Sequence, residues 1–238
     1  MMPEELRHKL ASLKRSSWRP LSGPAVPGAM SKFGGNPLLR QGEGWPCCGH
    51  CHQPMQLFVQ LDARDLPAAA GMPFGDGILQ VFYCTNMDEE CEIMEQSYLP
   101  FSEATLCRVL PREQCHGFDA PPAVIEDAFE ERALTGWLAQ TDFPSRAELP
   151  LLHGLDLQAL QQLGAPDFAR PGDKLLGWPH WRQTVNYPPC PCCERPMAYV
   201  LQLDSLSTLP FMFGDNGCAH VCQCPSHPQQ ITICWASN

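Results

Sequence analysis

The chain has 238 residues, room for one large domain or two small ones, and a hydrophobic content of 44% that provides a buried core and excludes a disordered chain. Its formal net charge of −10 has the wrong sign for a protein whose main partner is nucleic acid, because neutralising phosphates needs clustered Lys and Arg. An acidic surface instead attracts a basic protein.

Residues 1 to 15 carry charges throughout and lack the apolar run of a secretory signal, and no segment is long and apolar enough to span a bilayer. The expected location is the cytoplasm, where thiols stay reduced, so the 14 cysteines point to metal ligation rather than disulfides. Leu6, Leu10 and Leu13 at i, i+4, i+7 predict a short amphipathic helix, and a Pro/Gly-rich connector follows from Arg19 to Met30. The 25 prolines favour short strands and turns beyond it.

From Lys32 begins a stretch that occurs twice: Lys32 to Asp62 lies on Lys174 to Asp204 without a gap, at an offset of 142. Thirteen of the 31 positions are identical, where unrelated sequences would share roughly two. Each copy reads as a Gly/Pro-punctuated loop, then C-x-x-C-x-x-P-M, then an apolar run ending in Gln-Leu-Asp. One structural unit used twice is expected. Repeat one has strands at Gln56 to Leu61 and Ile78 to Cys84, forming a hairpin; repeat two has them at Ala198 to Leu203 and Cys218 to Cys224. Between the copies, Leu106 to Leu110 predicts a strand. Val124, Ile125, Ala128, Phe129, Trp137 and Leu138 stand near helical spacing and predict a helix from Pro122 to Gln140, with a second short one from Leu155 to Leu163. The expected fold is α+β: duplicated, mainly antiparallel β-rich repeats with a helical bridge, pseudo-two-fold and carrying zinc knuckles. Its segments are 1–30 (N-terminal helix and connector), 31–98 (repeat one), 99–171 (bridge) and 172–238 (repeat two).

Zinc takes four thiolate or imidazole ligands in a tetrahedron, and C-x-x-C offers two from one tight turn. Repeat one then supplies Cys48, Cys51, Cys84 and Cys91. Repeat two supplies Cys190, Cys193 and Cys224, the counterpart of Cys84, with His227 as the fourth ligand, Cys222 as the main alternative, and Cys192 or Cys218 as less comfortable substitutes. Two structural zinc ions are expected. Cys47, Cys107, Cys115 and Cys234 read as free thiols, and Trp45, Trp178 and Trp181 as core or groove-rim residues.

Sites filled by four protein ligands stabilise rather than activate water. Asp62 with Asp204, or His50 with Cys47, can be drawn as catalytic pairs, but they read as strand-end acids and a solvent-facing histidine, so no catalytic residues and no enzyme are expected. The glycines of Lys32 to Pro37 lack the strand and helix that flank a phosphate cradle.

Ser31-Lys32-Phe33-Gly34-Gly35-Asn36-Pro37, the first knuckle with Pro54-Met55, and Phe82-Tyr83-Cys84 resemble a superfamily that includes the bacterial YwqG-type proteins and the eukaryotic programmed cell death protein 2. Leu176-Gly177-Trp178-Pro179, Leu201-Gln202-Leu203-Asp204, Phe213-Gly214-Asp215, and Gly136-Trp137 with Asp142-Phe143-Pro144 extend the likeness over most of Ser31 to Asn238. The resemblance implies a duplicated β-rich domain, zinc knuckles in some members, and binding of other proteins: escort of a ribosomal protein, or immunity against a toxin. The expected partner is a basic protein, a toxin or a ribosomal protein, seated in a groove between the repeats, with no direct nucleic acid and no membrane.

Overall fold

The computed structural model describes residues 3–86, 91–115, 125, 127–156, 158 and 168–238. Its strands are β1 (Arg15–Pro24), β2 (Lys32–Phe33), β3 (Gln56–Asp62), β4 (Ile78–Tyr83), β5 (Thr105–Leu110), β6 (Arg132–Asp142), β7 (Lys174–Leu175), β8 (Ala198–Asp204), β9 (Cys218–Gln223) and β10 (Ile231–Ala236). The helices are α1 (Pro3–Ser12), α2 (Cys91–Met94) and α3 (Glu148–His153). All ten strands join one sheet in the order β10-β9-β8-β7-β1-β6-β2-β3-β4-β5, with antiparallel pairing throughout.

The sheet curls into a nearly closed barrel. At its seam the connection leading into β5 lies on β10: Trp235 N–H donates to Tyr98 O at 3.1 Å and Phe101 N–H to Thr232 Oγ1 at 2.7 Å. Trp235 Nε1 reaches back to Tyr83 Oη at 2.9 Å. The interior is shared between the two halves, since Phe58 of β3 packs on Phe213 and Phe211 with ring centroids 5.9 and 4.9 Å apart. β3, β4 and β9 are buried along their whole length and β8 along all but its first residue, with polar residues such as Gln60 and Gln202 buried among the apolar ones. α1 sets Leu6 and Leu10 into a smaller cluster with Phe143, Leu149 and Leu155.

Two expectations need correction. The connector from Arg19 to Met30 is β1 as far as Pro24, which β6 pairs along its length and β7 only at Trp18. The helix expected from Pro122 to Gln140 is instead β6 from Arg132 onward, with 122–124 and 126 outside the described residues. Its helical spacing spanned a polar break at Glu130 to Arg132, and Thr135, Trp137 and Thr141 suit a strand that β1 pairs from end to end. β1 and β6 stand between the two copies in the sheet order and join the halves into a continuous sheet. The expected helix from Leu155 to Leu163 lies mostly outside the described residues.

At the centre sit two buried lysines. Lys32 of β2 donates to Glu131 Oε2 at 2.7 Å, and Lys174 of β7 to Asp142 Oδ2 at 2.8 Å. Asp142 also accepts from the backbone N–H groups of Phe143, Arg170 and Trp178 at 2.9 to 3.1 Å. Burial pulls both ammonium groups below the ordinary lysine range, while the facing carboxylates pull them back up. Asp142→Ala should therefore lower the unfolding free energy by about 3–5 kcal/mol in urea denaturation, because it leaves a buried charge alone. Glu131→Ala, at a partly exposed carboxylate, should cost less.

Candidate metal centres

Both knuckles are built alike. In the first, Cys48 N–H donates to Gln53 O at 2.9 Å, His52 N–H to Cys48 O at 3.0 Å, and Met55 N–H to Pro46 O at 2.9 Å. In the second, Cys190 N–H donates to Arg195 O at 2.9 Å, Glu194 N–H to Cys190 O at 2.8 Å, and Met197 N–H to Pro188 O at 2.9 Å. The residue after the second cysteine turns left-handed in each, His52 with φ 57° and Glu194 with φ 59°. This tight return presents two thiols on one side of the turn.

The neighbouring hairpin supplies the other pair. Cys84 follows β4 and Cys91 opens α2, whereas Cys224 follows β9 and His227 stands in the turn before β10. The ligand atoms of Cys48, Cys51, Cys84 and Cys91 all lie within 4.8 Å of one another, as do those of Cys190, Cys193, Cys224 and His227. Cys51 and Cys84 are 3.7 Å apart, Cys48 and Cys91 3.9 Å, and Cys193 and Cys224 3.7 Å. His227 Nδ1 lies 3.7 Å from both Cys190 and Cys224. A tetrahedron with Zn–S bonds of about 2.3 Å has edges of about 3.8 Å, and a disulfide would need sulfurs about 2.05 Å apart. The two clusters could each hold a zinc ion.

The eight residues chosen from the sequence are the ones brought together. Cys222 is buried within β9 beside Cys234 and Cys107, outside the second cluster. Cys192 is exposed, with its N–H donating to Cys190 Sγ at 3.4 Å, and Cys218 lies in β9 beside His220. Among the free thiols, Cys47 is exposed and Cys234 buried. Trp178 and Trp181 are core residues, and the partly buried Trp45 donates Nε1 to Met55 O at 2.8 Å.

Asp62 accepts from Arg112 and from Arg64 N–H; burial pushes its carboxyl up, but these bonds outweigh it and hold the pKa below the usual range. Asp204 accepts from Gly172 N–H at 2.7 Å and pairs with Arg182 at 3.0 Å. His50 does not face solvent freely, since its Nδ1 meets Glu95 Oε1 at 2.9 Å. Sequence reasoning missed Glu95, Glu131 and Asp142 as partners; the one signal available was a lysine kept at the same place in both copies.

Among the described residues, no helix is long and apolar enough to cross a membrane. The family model described as "Domain of unknown function (DUF1963)" matches residues 31–224, so the chain belongs to that family. No curated protein matches the chain.

Burial pushes the Cys84 thiol up and the Cys91 thiol up to about 12, so both are protonated at neutral pH without metal. A metal ion must displace at least these two protons, so the first site should gain affinity by at least about 100-fold per pH unit near neutrality and lose its ion on acidification. Cys190 differs: burial raises it, but the Cys192 and Cys193 amides outweigh that and bring it down to about 6. Zinc titration against a chromophoric chelator should saturate at two equivalents. Cys48→Ser or Cys193→Ser should each remove one and destabilise the fold by several kcal/mol, on the order of a domain's whole stability. Well-folded, metal-free protein carrying both substitutions would refute the assignment.

Proposed function

We propose that this DUF1963 member is a non-enzymatic, cytoplasmic protein-binding domain, made by using one zinc-knuckle unit twice, which sequesters a basic partner. The observation that carries this reading is that, among the described residues, each cluster offers four thiol or imidazole ligands and no carboxylate, which would leave a tetrahedral ion no open position for water or substrate. The acids that might have served catalysis are engaged: Asp62 holds Arg112 and Asp204 holds Arg182. Metal at both sites would contribute folding free energy, and the net charge of −10 favours capture of a positively charged protein.

The most specific form, drawn from the family resemblance, is an immunity protein that occludes a cognate toxin, often a nuclease whose own surface must be positive to hold nucleic acid. The second reading is a chaperone for a basic ribosomal protein, which uses the same electrostatics. The remaining alternative, an enzyme with a cysteine or aspartate active site, predicts loss of function at Asp62 or Asp204.

Tagged protein should capture one stoichiometric basic partner from its host, with recovery falling as salt is raised from about 0.05 to 0.3 M. Mass spectrometry then separates toxin from ribosomal protein. Asp62→Asn and Asp204→Asn should leave capture intact wherever the variant is folded. No partner at either salt would overturn the sequestration reading.

A further inference from the structure

We propose that the connection between β4 and β5, over residues 92–103, is the docking surface for a basic amphipathic segment of a partner protein. The assignment rests on the reading above and narrows it to one face. The two halves close the same hairpin at very different lengths. Cys84 N–H donates to Ala104 O and Cys224 N–H to Gln230 O, both at 2.9 Å, yet 19 residues lie between the first pair and 5 between the second. Five residues suffice to deliver the fourth ligand, His227. The additional length in the first half is therefore not required by the cluster.

That length carries exposed apolar side chains. Ile93 and Met94 are 68% and 61% exposed, and Tyr98, Leu99 and Phe101 at least 40% each. The segment is fixed at several points rather than hanging free. Cys91 belongs to the first cluster, Ser97 Oγ bonds Tyr83 Oη, Ser102 Oγ donates to Glu95 O at 2.8 Å, and Tyr98 and Phe101 are tied to β10 through their backbones. Phe101 has φ 62°, a left-handed conformation rare and costly for an aromatic residue. Such strain persists where the surrounding structure enforces it, here through the bond to Thr232, and it holds a large apolar ring partly in solvent. A preorganised apolar surface binds without the entropic cost of ordering itself.

Charge selects the occupant. From Met87 to Cys107 the sequence has Asp88, Glu89, Glu90, Glu92, Glu95 and Glu103 and no Lys or Arg. Glu103 is exposed, and Glu92 and Glu95 are partly so. A second copy in a two-fold dimer would set these acids against themselves. Nucleic acid and anionic membrane are repelled for the same reason. A segment with apolar residues on one helical face and Lys or Arg around it satisfies both features, and Met94 offers the adaptable contact that such helix-docking surfaces use.

The probe is a labelled peptide of about 18 residues, leucine and lysine in amphipathic helical order, with a scrambled version and a glutamate-for-lysine version as controls. Fluorescence anisotropy at low salt should show binding of the amphipathic lysine peptide and at least about tenfold weaker binding of both controls. The double variant Ile93→Ser/Met94→Ser and the single variant Phe101→Gly should each weaken binding about tenfold, while Leu151→Ser/Leu152→Ser on α3 should change it less than about twofold. Phe101→Gly should melt no lower than the parent, because glycine removes the backbone strain, so loss of binding cannot be assigned to unfolding. Binding of the lysine peptide that is unchanged in the Ile93→Ser/Met94→Ser and Phe101→Gly variants, or matched by the scrambled peptide, would overturn this assignment and leave the basic-partner reading standing. No binding of the peptide, together with no basic partner captured at low salt, would overturn both.

Discussion

The arrangement depends on where β6 places its two acids. Glu131 precedes this strand and Asp142 ends it, and each meets a fully buried lysine, one from each half of the sheet. An ammonium group cannot remain charged in such a position without a partner, so β6 must run between the halves with both ends in register. The two acids also dictate the glycines. A Cβ at Gly35 would lie 2.7 Å from Glu131 Oε2, and one at Gly177 would lie 2.4 Å from Asp142 Oδ2; both glycines have positive φ. Lysine, glycine and carboxylate thus form one unit at each end of the strand, with the acid coming from outside the repeated sequence.

The same account extends to other identical positions. Gln60 accepts from Leu38 N–H and donates to Met30 O, and Gln202 accepts from His180 N–H and donates to Gly172 O, each partner lying 142 residues from its counterpart. These buried amides satisfy backbone groups of the Pro-rich loops that no sheet ladder reaches. Elsewhere the contact is kept while its chemistry changes: Ser31 Oγ donates to the Asp65 carboxylate in one half, whereas in the other the backbone N–H of Asp173 donates to Ser207 Oγ. One identity does not carry one role. Arg182 pairs with Asp204, but the corresponding Asp62 is held by Arg112 and Arg40 is exposed.

This explains what the sequence could disclose. β3, β4, β8 and β9 are legible because each carries a short apolar run bounded by turn residues, and the knuckles because two ligands three residues apart need only a local turn. His227 was legible for the same reason, since it lies three residues from Cys224. β1 and β6 were not, because each alternates weakly, β1 carries two prolines and Gly23, and either becomes a strand only by pairing with a partner over 100 residues away. β2 and β7, at two residues each, are too short for any period. Glu131 and Asp142 escaped notice because their lysines lie 99 and 32 residues distant, with no motif to join them.

The placement of the clusters answers a second difficulty of this sheet. A barrel that does not quite close retains two edge strands, and unpaired edges invite pairing with other chains. Those edges are β5 and β10, and each belongs to a hairpin whose loop ends in a cluster: Cys84 and Cys91 between β4 and β5, Cys224 and His227 between β9 and β10. A metal ion at each site would pin the outermost hairpin to a knuckle whose polypeptide runs directly into the neighbouring inner strand, β3 or β8. In the first half the ligand Cys91 also begins the segment that lies on β10, so that cluster bears on closure of the seam as well as on its own hairpin. With metal bound, the two sites would be unequal in consequence although alike in construction: the second would secure an edge, and the first an edge together with the connection that covers the gap.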